Sequence, residues 1–266
     1  MTHFTDTHCH LDFDIYDEDR AEVVSHASQS GLSFILNPGI DLETSMAAIH
    51  LAYQYQGLIH AAVGFHPNYG SQWLDTSIDS LAKLAEDKAV LAIGEIGLDY
   101  YRQHTPREQQ HDIFLRQLAL ARELDLPVLI HNRDASADLM PILAEWVRSL
   151  PGDSRLRQTP GVLHAFSDTL DVAHCATSLN FMIGIAGPVT FKNAQERKDL
   201  VAQLPLTSLL LETDAPFLTP HPFRGRRNEP AHIPLIAAEV AKLHGKTIEE
   251  VALTTYNNAN NLFRFK

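Results

Sequence analysis

VLAIGEIGLDYYRQHTPREQQHDIFLRQLALARELDLPVLIHN, residues 90–132, contains two apolar runs joined by a stretch with helical periodicity. The runs at 90–96 and 127–132 read as strands, and 106–124 reads as a helix. A strand, a crossover helix and a second strand imply parallel pairing. The alternation continues in both directions. Further strands are expected at 4–10, 33–38, 59–65, 161–166, 181–186 and 208–213. Helical patterns fall between them at 17–31, 41–57, 77–87, 137–150, 169–179 and 194–204. Eight such units predict an α/β fold, a closed TIM-type (β/α)8 barrel, as a single domain over residues 1–266. Two more helical segments, 234–245 and 247–263, are expected to pack outside the barrel. The connection at 215–234, APFLTPHPFRGRRNEPAHIP, is long, proline-rich and basic. It follows the last strand, at the C-terminal rim where barrel enzymes place their sites.

The strand ends carry the chemistry. In FTDTHCHLDF, Phe4–Phe13, His8 and His10 are two residues apart. Side chains at that spacing share a strand face about 6.6 Å apart, so both point into the barrel. Cys9 then points outward, as a buried structural thiol rather than a ligand. Glu95, His131, His164 and Asp214 stand at the C-terminal ends of four other apolar strands. Burying six such groups without partners is prohibitive. Imidazole nitrogen and carboxylate oxygen suit Zn, Mn, Mg or Ni, so one or two divalent metal ions resolve the cost. Six ligands exceed the needs of one tetrahedral catalytic ion. His8 and His10 are expected to hold one ion with Glu95 and Asp214, and His131 and His164 the other, with Glu95 as the bridge. Ions about 3.5–4 Å apart can activate a water and stabilise both attacking and leaving oxygens.

Composition narrows the setting. The formal charge, from 21 basic and 33 acidic residues, is −12. Such a surface does not bind a long duplex by bulk counterion release, and it argues against a membrane-binding face. Ions in a pocket can still make the local field positive. No apolar run is long enough to span a bilayer, and no basic flank followed by an apolar stretch marks a secretory leader. Two cysteines imply no disulfide framework, so a cytoplasmic location is expected. No obligate protein partner is evident.

Other polar residues near the expected rim are candidates for substrate contact. His66 closes the third strand, in GFHP. Arg133 lies two residues past His131, and a guanidinium matches phosphate oxygens. Arg224, Arg226, Arg227 and Asn228 lie in the long connection, with Arg224 and Asn228 the preferred contacts. Asp99 and Tyr100 are expected at the rim. Glu212, two residues before Asp214, is expected deeper, orienting an imidazole.

The motifs DTHCHLDF, GFHP, GEIGLDY, LIHNRDA, LHAFS, LETDAPFL and RGRRNEP resemble those of the TatD-related metal-dependent hydrolases, within the amidohydrolase superfamily. The likeness runs from about Thr5 to the NNANNLF segment near the C-terminus. It implies a TIM-type barrel with a mono- or dinuclear centre and Mg-dependent deoxyribonuclease or phosphoesterase activity. Carried over by motif, it implies the same six metal positions. Two departures stand out: HAFSD replaces the frequent HCFSG, giving Ala165 and Asp168, and Ala215 replaces a frequent serine before proline. The expected reaction is hydrolysis of a phosphoester, on a small substrate or a nucleic-acid end, with Asp214 as general base and Glu95 bridging. Two other readings use the same residues: an amidohydrolase or lactonase, and a non-enzymatic protein with a structural metal. Glu95, in place of the carboxylated lysine that bridges many dinuclear relatives, favours the phosphoesterase. An open rim with spare coordination argues against the structural ion.

Overall fold

The computed structural model describes residues 3–102 and 104–265; Met1, Thr2, Gln103 and Lys266, parts of the expected 1–266 span, lie outside them. Eight parallel strands follow one another around the sheet in chain order. They are β1 (Phe4–Asp6), β2 (Leu32–Pro38), β3 (Ile59–Val63), β4 (Val90–Asp99), β5 (Val128–Arg133), β6 (Gly161–Leu163), β7 (Met182–Ile185) and β8 (Leu209–Leu211). The ring closes between β8 and β1 through Thr7 N to Leu211 O at 3.1 Å, Asp214 N to His8 O at 2.8 Å and His10 N to Ala215 O at 2.8 Å. One helix follows each strand: α1 (Arg20–Gln29), α2 (Leu42–Gln54), α3 (Ser77–Ala85), α4 (Arg107–Leu124), α5 (Ser136–Ser149), α6 (Leu170–Ser178), α7 (Gln195–Gln203) and α8 (Ile233–His244). A ninth, α9 (Ile248–Phe263), ends the fold. This is the TIM-type barrel. Local chemistry sets the helix starts: Asp41 with Thr44, and Thr247 with Glu250, close capping boxes before α2 and α9.

Two apolar layers hold it together. Ile35, Val63, Ile93, Ile130, Leu163 and Leu211 face the helices in the outer layer. Phe34, Leu36, Ala62, Ala92, Leu129, Val162 and Leu210 fill the barrel interior. The expectation that both last helices pack outside fails for α9. Its Ala259, Leu262 and Phe263, with Phe265 beyond it, join the interior layer. Phe265 stacks on Phe34 with ring centroids 4.0 Å apart. Phe34 stands near the start of β2, so α9 stoppers the N-terminal end. A barrel end lined by large apolar rings needs such a cover.

Strand lengths also differ from expectation, and the differences build the rim. The ladders of β1, β6 and β8 stop before His8, His164 and Asp214, so these side chains stand on irregular backbone just past the last ladder bonds. Cys9 still pairs with Ala215 in an isolated parallel bridge and is fully buried in the outer layer. That bridge turns His8 and His10 inward together. By contrast, β4 runs on to Asp99, placing Glu95 in mid-strand. Ala92 faces the interior, so a strict two-residue period would send Glu95 outward. A β-bulge corrects this: the register against β5 shifts between Ile93 and Ile96. The extra residue flips the side-chain parity and brings Glu95 inside.

Gly97 lets β4 and β5 approach beyond the bulge. Its φ is 145°, and a Cβ there would sit 2.0 Å from His131 O. Gly97→Ala is therefore expected to lower the unfolding free energy by about 1–3 kcal/mol, measured by urea denaturation.

Candidate metal centre

Glu95 is the hub. Its carboxylate is buried at the C-terminal end of the interior, and its two oxygens face different neighbours. Oε2 lies 3.3 Å from His8 Nε2 and 3.6 Å from His10 Nε2. Asp214 Oδ1 completes that side, 3.7 Å from His8 Nε2 and 3.9 Å from His10 Nε2. Oε1 lies 2.8 Å from both His131 Nδ1 and His164 Nε2. The six residues expected to hold metal thus stand around one carboxylate, but the groupings cross the expected division: His8 also converges with His164 and Asp214, and His66 joins Glu95 and His131.

The donor chemistry fits a divalent cation. His8 Nε2 and His10 Nε2 face each other at 3.2 Å, beside a carboxylate oxygen. Without a cation one neutral ring donates its N–H to the other there, and with both protons on Nδ1 the two lone pairs can share an ion. Potential ligand atoms of His8, His10 and Glu95, and likewise those of His8, His164 and Asp214, lie within 4.8 Å of one another. Nitrogen with carboxylate oxygen suits the borderline and hard divalent ions.

Electrostatics follow from this crowding. Burial would raise the Glu95 carboxyl, but the imidazoles of His164 and His66 and hydrogen bonds from His131 and His164 hold it well below the usual carboxylate range. Burial would lower His164, yet Glu95, Glu212 and Asp214 push it up to about 9. Burial and the charge of His164 press His8 well below the usual imidazole range. Burial raises Asp214.

His66, read from sequence as a substrate contact, stands in the cluster itself, with Nε2 3.4 Å from Glu95 Oε1. Burial, aided by His131, pushes it down to about 3, so its ring is neutral. Asn68 N donates to His66 Nδ1 at 3.1 Å, which leaves the ring proton on Nε2. His66 therefore presents an N–H rather than a lone pair to the site.

Several supporting residues differ from expectation. Asp99 is buried behind His131 rather than exposed at the rim, with Oδ2 3.4 Å from His131 Nε2. It accepts from Asn68 Nδ2, Tyr101 N and Arg102 N, each at 2.9 Å. Burial would raise it, but these bonds and His131 hold it well below its ordinary value. Tyr100 leaves the rim altogether: its hydroxyl donates to Asp138 Oδ2 at 2.6 Å, between α4 and α5. Glu212 makes no hydrogen bond or ion pair with an imidazole among the described residues. It accepts from Ala165 N and from Thr7 Oγ1, tying the loop after His164 to β1. Burial raises Glu212 to about 7.

Asn228 is not free to bind phosphate. Its Nδ2 donates to Thr213 O at 2.9 Å and Phe217 O at 2.6 Å, and its Oδ1 accepts from Glu229 N and His232 Nδ1. All its side-chain capacity goes into folding the long connection. Arg227 is likewise held by Asp19, at 2.8 and 2.6 Å. Arg133 and Arg224 are exposed, each stacked on an aromatic ring: Arg133 lies 4.0 Å over Tyr101 and Arg224 4.4 Å over Phe191. Both line a groove of about 1190 Å³ with Phe166, Asp168 and Phe191, and none of the six expected ligands lines it. Asp168 is capped there by Ser136 Oγ and Thr169 N, so its charge clamps the loop onto α5.

Asp6 escaped the sequence reading. It is fully buried and accepts from His8 N at 3.3 Å, Thr213 N at 2.9 Å and Thr213 Oγ1 at 2.5 Å. It fastens the backbone under His8 to the backbone before Asp214. Burial pushes it up to about 8 against those bonds. An acid inside the apolar start of a strand was the available signal.

The chain matches the family model described as TatD related DNase over residues 5–264. It is 40% identical over 259 residues to the metal-dependent hydrolase YabD of Bacillus subtilis, covering 97% of this chain and 98% of that one. It is 38% identical over 251 residues to the 3'-5' ssDNA/RNA exonuclease TatD of Erwinia amylovora, covering 92% and 94%. The crystal structure of YjjV, a TatD homologue from Escherichia coli, superposes with a TM-score of 0.90 at 35% identity, over 99% of this chain and 98% of that one.

The shifted groups set a pH dependence for the metal-free protein. Asp6, Glu212 and His164 have folded values near 8, 7 and 9, all above their ordinary 3.8, 4.5 and 6.5. A raised value means that the folded state holds the proton more tightly, so stability is lost as pH rises through that value. Imidazoles with lowered values are neutral in both states above 6.5 and contribute no slope there. Chelated protein should therefore lose on the order of a few kcal/mol of unfolding free energy between pH 6.5 and 9, by urea denaturation. Added divalent ion should flatten the slope.

Proposed function

The chain belongs to the TatD related DNase family of metal-dependent hydrolases, and from that premise we propose that it cleaves the phosphoester bond at the 3′ end of single-stranded nucleic acid. The observation that carries this reading is the division of the Glu95 oxygens between two sets of donors. A carboxylate so placed suits two cations with His8, His10 and Asp214 on one side and His131 and His164 on the other. Bound there, Zn, Mn, Mg or Ni would supply Lewis acidity to phosphoryl oxygens and acidify the attacking water. The exonuclease name of the Erwinia relative supports the substrate class.

The chain's own residues do the rest. Asp214 is the more exposed carboxylate of the cluster, 14% against 5% for Glu95, and takes the proton of the attacking water. His66, with its proton fixed on Nε2, donates to a phosphoryl or departing oxygen. Asp99 orients His131 through its far nitrogen. Arg133 and Arg224 hold neighbouring phosphates along the groove. The barrel works as one catalytic domain. No helix among the described residues is long and apolar enough to cross a membrane, and both cysteines are free, which supports a cytoplasmic setting.

Elemental analysis of metal-loaded protein should give two ions per chain, and His131→Ala should reduce this to one; a single ion in saturated wild type would defeat the dinuclear reading. Asp214→Asn should lower kcat on a 3′-ended oligonucleotide by about 10²–10⁴ while thermal unfolding stays cooperative.

A further inference from the structure

Phe217 is 53% exposed, three residues after Asp214. A lone exposed phenylalanine is ordinary, but the backbone of this one is pinned on both sides. Its N–H donates to Asp214 O at 2.8 Å, and its carbonyl accepts from Asn228 Nδ2 at 2.6 Å. One side of the ring is already defined. Phe13 stacks on His10 with centroids 4.7 Å apart, and the Phe13 and Phe217 rings meet edge-on at 6.2 Å. A continuous aromatic path therefore runs from a cluster imidazole to an open ring face at the mouth. Neither Phe13 nor Phe217 contributes to coordination or proton transfer.

Charge explains what such a face is for. The chain carries −12, so its long-range field does not gather a polyanion. Affinity for a nucleic-acid end must come from short-range contacts. The groove adds two exposed guanidiniums, Arg133 and Arg224, which do not offset a net charge of −12. Base–aromatic stacking supplies the missing attraction without regard to sequence, because every base has a π face.

Resting on the phosphoester reading above, we propose that Phe217, braced by Phe13, is the stacking platform for the nucleobase beside the scissile phosphate, and that it selects unpaired ends. In a duplex the end base is held by pairing along its edge and by stacking of its inner face on its neighbour, so it cannot turn onto Phe217 without fraying. On a frayed or single-stranded end it is free to transfer to Phe217.

The test compares wild type, Phe217→Ala and Phe217→Trp on two single-stranded oligonucleotides, one normal and one abasic at its last two 3′ positions. Bis(4-nitrophenyl) phosphate serves as a simple diester. On the normal strand, Phe217→Ala should raise KM about tenfold with kcat within about twofold, and Phe217→Trp should retain the wild-type KM. On the abasic strand, wild type should already show the raised KM and Phe217→Ala should add nothing. Equal losses on both strands, or none on either, overturn the platform. Wild type that cleaves the simple diester but neither strand overturns both the platform and the nucleic-acid substrate, and leaves only phosphodiester hydrolysis standing. Metal-loaded wild type inert on all three substrates overturns the phosphoester reading and the platform with it.

Discussion

One buried carboxylate organises the working end of this barrel. Glu95 lies within 2.8–3.6 Å of imidazole nitrogens from His8, His10, His66, His131 and His164. Those five rings come from β1, β3, β5 and β6 or the turns just past them. Five imidazoles without an anion among them would have to stay neutral in a dry site, and an anion without them would not stay ionised. The arrangement holds only if each backbone is fixed independently of the cluster. Asp6, Asp99 and Glu212 do that fixing, by accepting from the backbone or neighbouring side chains around the rings.

Much of this was legible in the residues. Strand–helix alternation was enough for the barrel, because parallel strands with short crossovers have few ways to close. His8, His131, His164 and Asp214 were legible because a titratable group at the end of an apolar run is costly unless partnered. Glu95 was picked out for the same reason, but its route into the site was not readable. The bulge opposite Leu129 is a register event between two strands, and a one-strand pattern carries no register. The stopper role of α9 was hidden likewise, since an amphipathic helix looks the same against the side of a barrel as against its end. Asn228 and Asp99 were misplaced for a different reason. Composition near a rim shows that polar atoms exist there, not whether the chain has already used them.

The charge arrangement is layered. An acidic surface surrounds a cluster rich in nitrogen donors, and the nearby guanidiniums of Arg133 and Arg224 lie flat on aromatic rings. Stacking keeps those cations partly desolvated and oriented without neutralising them, as an ion pair would. Arg227, bonded to Asp19, shows the alternative: a cation spent on holding a loop in place. The same connection thus provides both an anchor and a free charge, three residues apart.

The rings of Phe263 and Phe265 against Phe34 also have a topological effect. They close the N-terminal end over an interior that side chains already fill, so whatever reaches the Glu95 cluster enters, and its products leave, by the one mouth at the C-terminal rim.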